Sequence, residues 1–216
     1  MKKLFSVLSV ILLAAGCGTK ASGPLQGLKT GDLVFVGIPA DYSLEQDSMG
    51  SAISDATGKG ELNIIHVAIA EVKGDSTWII DATIKHGVDR HPLDTFLTDF
   101  TLKDGSLPVF IVKRLKDDRN AAAYVENAKA FLGLPYDVAF LPDNGAMYCS
   151  ELVRESYRDR EYIFDNKPMN FKNADGEFPV YWQQLFSLIG QDIPQNIPGT
   201  NPQDMSESAA LADIRM

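Results

Sequence analysis

The sequence predicts an α+β chain in which an antiparallel sheet packs against a helical layer. Three stretches carry that prediction. Ile64-Ile65-His66-Val67-Ala68-Ile69-Ala70-Glu71-Val72 and Thr77-Trp78-Ile79-Ile80-Asp81-Ala82-Thr83-Ile84 are β-rich runs on either side of a short turn at 73–76, the pattern of a hairpin. Within 118–132, Ala121, Tyr124, Val125, Ala128, Phe131 and Leu132 recur at helical spacing, and Gly133 lies just past the end. Cys149, Leu152, Val153, Ser156 and Tyr157 form a second helical stripe that starts straight out of a loop. The chain has 216 residues and is 45% hydrophobic, enough for one domain with a sizeable core. Its net charge of −9 argues against a nucleic-acid partner.

Taken in order, the chain opens on a targeting segment. Met1-Lys2-Lys3 is basic, and Leu4 to Ala15 is an apolar run too short to span a bilayer. Leu13-Ala14-Ala15-Gly16-Cys17 resembles a bacterial lipobox, with cleavage after Gly16 and acylation of Cys17; an ordinary signal peptide with a nearby Cys is the other reading. The division expected is a signal peptide over 1–16, anchor and linker over 17–28, and a globular domain over 29–216. Lipidation at Cys17 would tether the protein to a bacterial membrane in the cell envelope, facing the periplasm or the exterior, since each buried CH₂ of the acyl chains contributes about 0.8 kcal/mol. Only two cysteines exist, so lipidation leaves Cys149 as a lone thiol outside the cell, where idle thiols oxidise. A Cys17–Cys149 disulfide is the competing use of the pair.

Gly31-Asp32 opens a strand over Leu33 to Gly37, and Tyr42 to Gly60 reads as a polar loop with a helical turn or two near Gly50 to Thr57. In the hairpin, pairing Val72 with Thr77 puts His66, Ala68 and Ala70 on one face and makes Asp81 the diagonal neighbour of His66. A His beside a carboxylate has the form of a general base and its orienter; a His bonded to a main-chain carbonyl is the alternative. His86, beside Gly87, and His91, before Pro92, read as solvated loop residues. Three scattered histidines match no metal-ligand spacing, so neither a metal nor a cofactor is expected. A strand over Leu107 to Val112 precedes the 118–132 helix, which Pro135 forbids from continuing. Farther on, Tyr181 to Ile189 reads as a helix, Gln191 to Asp204 as extended, and Ser206 as the cap of a last short helix. Phe164, Phe171, Phe178, Tyr181, Trp182 and Phe186 read as packing.

Cys149 falls in the first turn of its helix, on the buried side. Unpaired backbone N–H groups there favour a thiolate and later an oxyanion. By position alone, a small buried hydrophobe explains it equally well.

Gly133-Leu134-Pro135-Tyr136, then Tyr148-Cys149-Ser150-Glu151-Leu152-Val153, resembles the nucleophile region of NlpC-type papain-like cysteine peptidases. In those, the His strand follows the Cys helix. Here the His66 strand comes first, with Gly31-Asp32-Leu33-Val34-Phe35 ahead of it, an order that resembles the circularly permuted branch: the YiiX/YaeF-like amidases, relatives of lecithin:retinol acyltransferase. Asn196-Ile197-Pro198-Gly199-Thr200-Asn201-Pro202 is similar to that branch as well. The resemblance runs from about Lys29 to the end. It implies a permuted papain-like fold, Cys149 as nucleophile, His66 as base and Asp81 where the branch usually has a Glu. Asp32, Tyr136, Tyr148 and Ser150 are the expected substrate-pocket residues. Tyr148 replaces the Asp of unpermuted relatives, so their peptidoglycan-peptide specificity does not carry over. The expected reaction is acyl transfer from an amide to water on a small peptide, amino-acyl or acyl-lipid substrate. A lipid acyltransferase or thioesterase, and a non-catalytic binding lipoprotein, are the alternatives.

Overall fold

The computed structural model describes residues 25–42, 48–58 and 60–216. The expected signal peptide, Cys17 and most of the expected linker lie outside the described residues. In chain order the elements are β1 (Leu33–Pro39), α1 (Met49–Thr57), β2 (Leu62–Lys73), β3 (Ser76–Thr83), β4 (Gly87–Pro92), α2 (Leu93–Asp99), β5 (Val109–Leu115), α3 (Ala121–Lys129) and α4 (Cys149–Ser156). After these come β6 (Lys167–Pro168), α5 (Val180–Ile189), β7 (Pro198–Gly199), α6 (Pro202–Ser206) and β8 (Leu211–Ile214). Six strands form one antiparallel sheet in the order β4-β3-β2-β1-β5-β8.

Both faces of this sheet are covered, which is why β1 reads as an unbroken apolar run rather than an alternation. Leu33, Phe35, Val67 and Ile69 pack under α3 and α4 through Val125, Ala128, Leu152, Val153 and Tyr157. Val34, Val36, Ala68 and Ala70 pack on the opposite side with Phe96 of α2 and with Leu25 and Leu28. Those two leucines sit in the stretch expected to be a linker, yet both are buried. Glu71 on β2 fastens α3 to the sheet: it takes Lys129 and Arg90, each at 2.5 Å. Burial opposes its charge, but these cations hold its carboxyl down at about 2.

The hairpin has the expected Val72–Thr77 pairing, but Lys73 pairs with Ser76, so the turn is Gly74-Asp75 rather than four residues. On its other edge β2 carries a bulge: Val36 pairs with His66 and Gly37 with Ile64, leaving Ile65 extra. Such bulges re-aim a neighbouring side chain, here His66.

Two elements differ from sequence expectation because their residues look like loop. Gly87-Val88-Asp89-Arg90-His91-Pro92 is polar and ends in Pro, yet it is strand β4, an edge position that tolerates Pro. Helix α2 follows at once. The start of β4 is tied to the Gly133-Leu134-Pro135 turn by Val88 N–H to the Leu134 carbonyl (2.8 Å) and Gly133 N–H to the Val88 carbonyl (2.9 Å). Gly87 has φ +67°, and a Cβ there would lie 2.4 Å from the Leu134 oxygen, so no other residue fits. At the far end, Asn201 caps α6 by accepting from Asp204 N–H at 2.8 Å; Ser206 therefore closes that helix instead of opening it, and strand β8 follows.

Candidate active site

Cys149 is the first residue of α4, packed on β2 and β3 at 4% exposure. The helix starts there because Pro135 has ended the preceding helical stretch and Tyr136 bridges Met147, delivering the chain to Tyr148 in extended backbone. The stripe read from sequence is the buried one: Leu152, Val153, Ser156 and Tyr157 all face the core. Backbone N–H groups of the first turn have no partner inside the helix, and Cys149 is the residue that opens that turn.

His66 is 7% exposed and Asp81 1%. His66 Nε2 lies 2.8 Å from Asp81 Oδ2, and Phe100 flanks the imidazole at 4.7 Å between ring centroids. Desolvation pushes His66 toward the neutral form, but the nearby Cys149 charge and the hydrogen bond to Asp81 outweigh it and raise its pKa to about 10. Burial likewise opposes charge on Asp81, yet hydrogen bonds from His66 and His91 keep its carboxyl below the usual range.

His91 is the residue that sequence reasoning missed. It is not a solvated loop residue; it is 5% exposed, and its Nε2 lies 3.0 Å from Asp81 Oδ1. The available signal was the alternation of Asp89 and His91 one turn after the hairpin, which pairs Asp81 with Asp89 and puts His91 on the diagonal. His86 is exposed, as read, and bonds Asp99 at 3.0 Å.

The four expected pocket residues divide. Tyr136, Tyr148 and Ser150 line a narrow cavity of about 40 Å³ that opens on Cys149, together with Phe140, Met169, Phe171, Trp182 and Thr200. Tyr148 and Ser150 are fixed there by Thr200, whose N–H donates to the Tyr148 hydroxyl (3.1 Å) and whose hydroxyl donates to Ser150 Oγ (3.0 Å). Asp32 is a correction. It is fully buried and makes a bidentate pair with Arg114 of β5, because a carboxylate buried at a strand start must be paired; it lines neither this cavity nor the one beside His66. The aromatics read as packing are packing, and two of them, Phe171 and Trp182, also line the cavity.

His66 opens on a second cavity, lined also by Ile65, Thr83, Lys85, Asp99 and Phe100. Tyr136 and Ile53 line both. Glu151, in the first turn of α4, is half-buried rather than turned to solvent; burial and then the Asp137 charge push its carboxyl up to about 8, which keeps a competing anion away from Cys149 at neutral pH. Among the described residues, no group of three or more His, Cys, Asp or Glu side chains is placed to hold a metal ion.

Residues 27–215 match the family model described as permuted papain-like amidase enzyme, YaeF/YiiX. The chain is similar to the uncharacterised protein YiiX of Escherichia coli strain K12, at 22% identity over 189 residues, covering 86% of this chain and 85% of that protein. It is also similar in fold to a crystal structure of the protein described as metalloprotein yiiX of Escherichia coli O157:H7, with a TM-score of 0.65, 21% identity and coverage of 87% of this chain and 96% of the other.

Proposed function

Because this chain belongs to the permuted papain-like amidases of the YaeF/YiiX family, we propose that it hydrolyses an amide, with Cys149 as nucleophile, His66 as base and Asp81 as the group that orients the imidazole. The buried His66–Asp81 contact at 2.8 Å, on the two strands against which the helix beginning at Cys149 packs, is the observation that supports this reading. The Cys149 thiolate attacks the carbonyl carbon, and the oxyanion so formed is held by N–H groups of the α4 first turn. As the C–N bond breaks, His66 gives its proton to the departing nitrogen. A water then loses a proton to His66 and attacks the thioester; the carboxylic acid leaves and sulfur becomes free again.

The two cavities suggest how the substrate lies. His66 must reach the leaving nitrogen, so the amine belongs on its side, where Lys85 and Asp99 are found. The acyl group then occupies the Cys149 cavity, whose lining carries no Lys, Arg, Asp or Glu. Such a pocket favours an uncharged, apolar acyl group. Among N-acyl p-nitroanilides, kcat/KM is expected to rise from acetyl to hexanoyl, by about tenfold for each pair of added CH₂ groups that is buried at roughly 0.8 kcal/mol apiece. A preference for a charged acyl group such as succinyl contradicts the assignment.

The proposal includes export and anchoring through Cys17, on the strength of Ala14-Ala15-Gly16-Cys17. Cells fed a labelled fatty acid should yield labelled, membrane-bound protein, and Cys17→Ser should abolish both properties. A variant that stays labelled rules out this anchor.

A further inference from the structure

One carboxylate serves two buried imidazoles: His66 Nε2 sits 2.8 Å from Asp81 Oδ2, and His91 Nε2 sits 3.0 Å from Oδ1. We infer that His91 is a positioning residue, which by donating to Oδ1 fixes the Asp81 carboxylate so that Oδ2 stays on His66. This rests on the Cys149–His66–Asp81 reading above.

The reasoning starts from the torsion. The carboxylate turns about an sp³–sp² bond with a broad potential, so a single partner leaves it loosely aimed. Held at both oxygens between strands on either side, it has one orientation. Register supplies both partners: β3 lies between β2 and β4, and the pairing of Asp81 with Asp89 puts His91 diagonally across. Without His91, Oδ1 would be a buried anionic oxygen with no donor, an expensive state that rotation toward water would relieve.

His91 Nδ1 is buried with no partner, so the neutral ring, protonated on Nε2, suits the site. Facing charges pull the other way: Asp81 from β3, Asp89 from its own strand and Asp99 from α2 raise its affinity for a second proton despite burial. His66 on β2 and His86 ahead of β4 are the other titrating rings nearby, His86 at 6.1 Å between centroids. In either state of His91, Nε2–H donates to Oδ1.

The test uses the full-length protein with His91→Leu, which keeps bulk and loses the donor, and His91→Gln, which keeps an N–H donor of similar reach. Two readouts are taken: the pH profile of Cys149 alkylation by iodoacetamide, and kcat and KM on the best anilide. His91→Leu is expected to lower kcat about 10- to 100-fold with KM within about twofold, and to slow alkylation near pH 6 about tenfold; His91→Gln should recover most of both. Both variants lose the buried ring, so a purely structural role would move them together. If the Leu variant does not fold, His91→Met, of similar length and without an N–H donor, takes its place with the same expectation. Equal behaviour of the Gln and donor-less variants, or wild-type behaviour of both, overturns the inference. His66→Ala serves as the reference: if it too leaves alkylation unchanged, the site reading itself fails, whereas a His66 effect without a His91 effect removes His91 alone.

Discussion

His66→Ala is expected to lower turnover about 10⁴-fold or more, because it takes away the group proposed to accept the Cys149 proton and return it to the leaving nitrogen. The loss should fall on kcat, since the imidazole acts in the transition state and makes little of the cavity that receives the acyl group. Stability should change with a definite sign in pH. Folded His66 holds its proton up to about pH 10, whereas an unfolded His releases it near 6.5. A folded pKa above the unfolded value makes the ion pair contribute fully below about pH 6.5 and less as pH climbs toward 10. Denaturant titration at pH 6 and pH 10 should therefore show the larger deficit of the variant at pH 6; an equal deficit at both contradicts the pairing.

Asp81→Asn is expected to lower kcat about 10²- to 10⁴-fold, by withdrawing the negative charge that favours imidazolium and by offering an amide that has no single correct orientation between two imidazole donors. The choice of Asn matters. From the hairpin register alone, with one His as partner, Asp81→Ala looks like a clean test in which activity falls far more than stability. The structure changes that, since Asp81 is 1% exposed and holds both His66 and His91. Truncation to Ala orphans two buried rings and should lower activity and stability together, by about 3 kcal/mol or more of folding free energy. With Asn the volume is kept, so a fall in kcat with a thermal midpoint shifted by only a few degrees isolates the orienting role. An Asn variant that retains most of its turnover removes Asp81 from the mechanism.

How much of this was legible beforehand depends on the kind of signal each residue gives. The β2–β3 hairpin and the α4 stripe were readable because both bury a regular set of side chains, and a regular set leaves a period in the sequence. The diagonal placement of Asp81 against His66 followed from register alone. Strand β4 was not readable: as an edge strand of six residues, it carries the polar run Asp89, Arg90 and His91, of which Arg90 and His91 are held by partners on β2 and β3. His91 was lost with it, since a His before Pro looks like turn. Asp32 was misplaced for a related reason. A carboxylate at a strand start near the motif reads as functional, and only Arg114, far along the chain, shows it to be one half of a buried ion pair. The bulge at Ile65 gives no sequence signal at all, since it arises from the register of β1 against β2.

The central claim is that Cys149 and His66 form a pair poised for acyl transfer, and the pH dependence of iodoacetamide alkylation of the folded protein tests it most directly. The thiolate is the species that reacts, so an imidazolium partner that holds it should speed alkylation, and His66→Ala should remove that gain and change the pH profile. Alkylation that follows one ordinary thiol titration in the wild type, unchanged by His66→Ala, would leave Cys149 as a buried small hydrophobe and contradict the account.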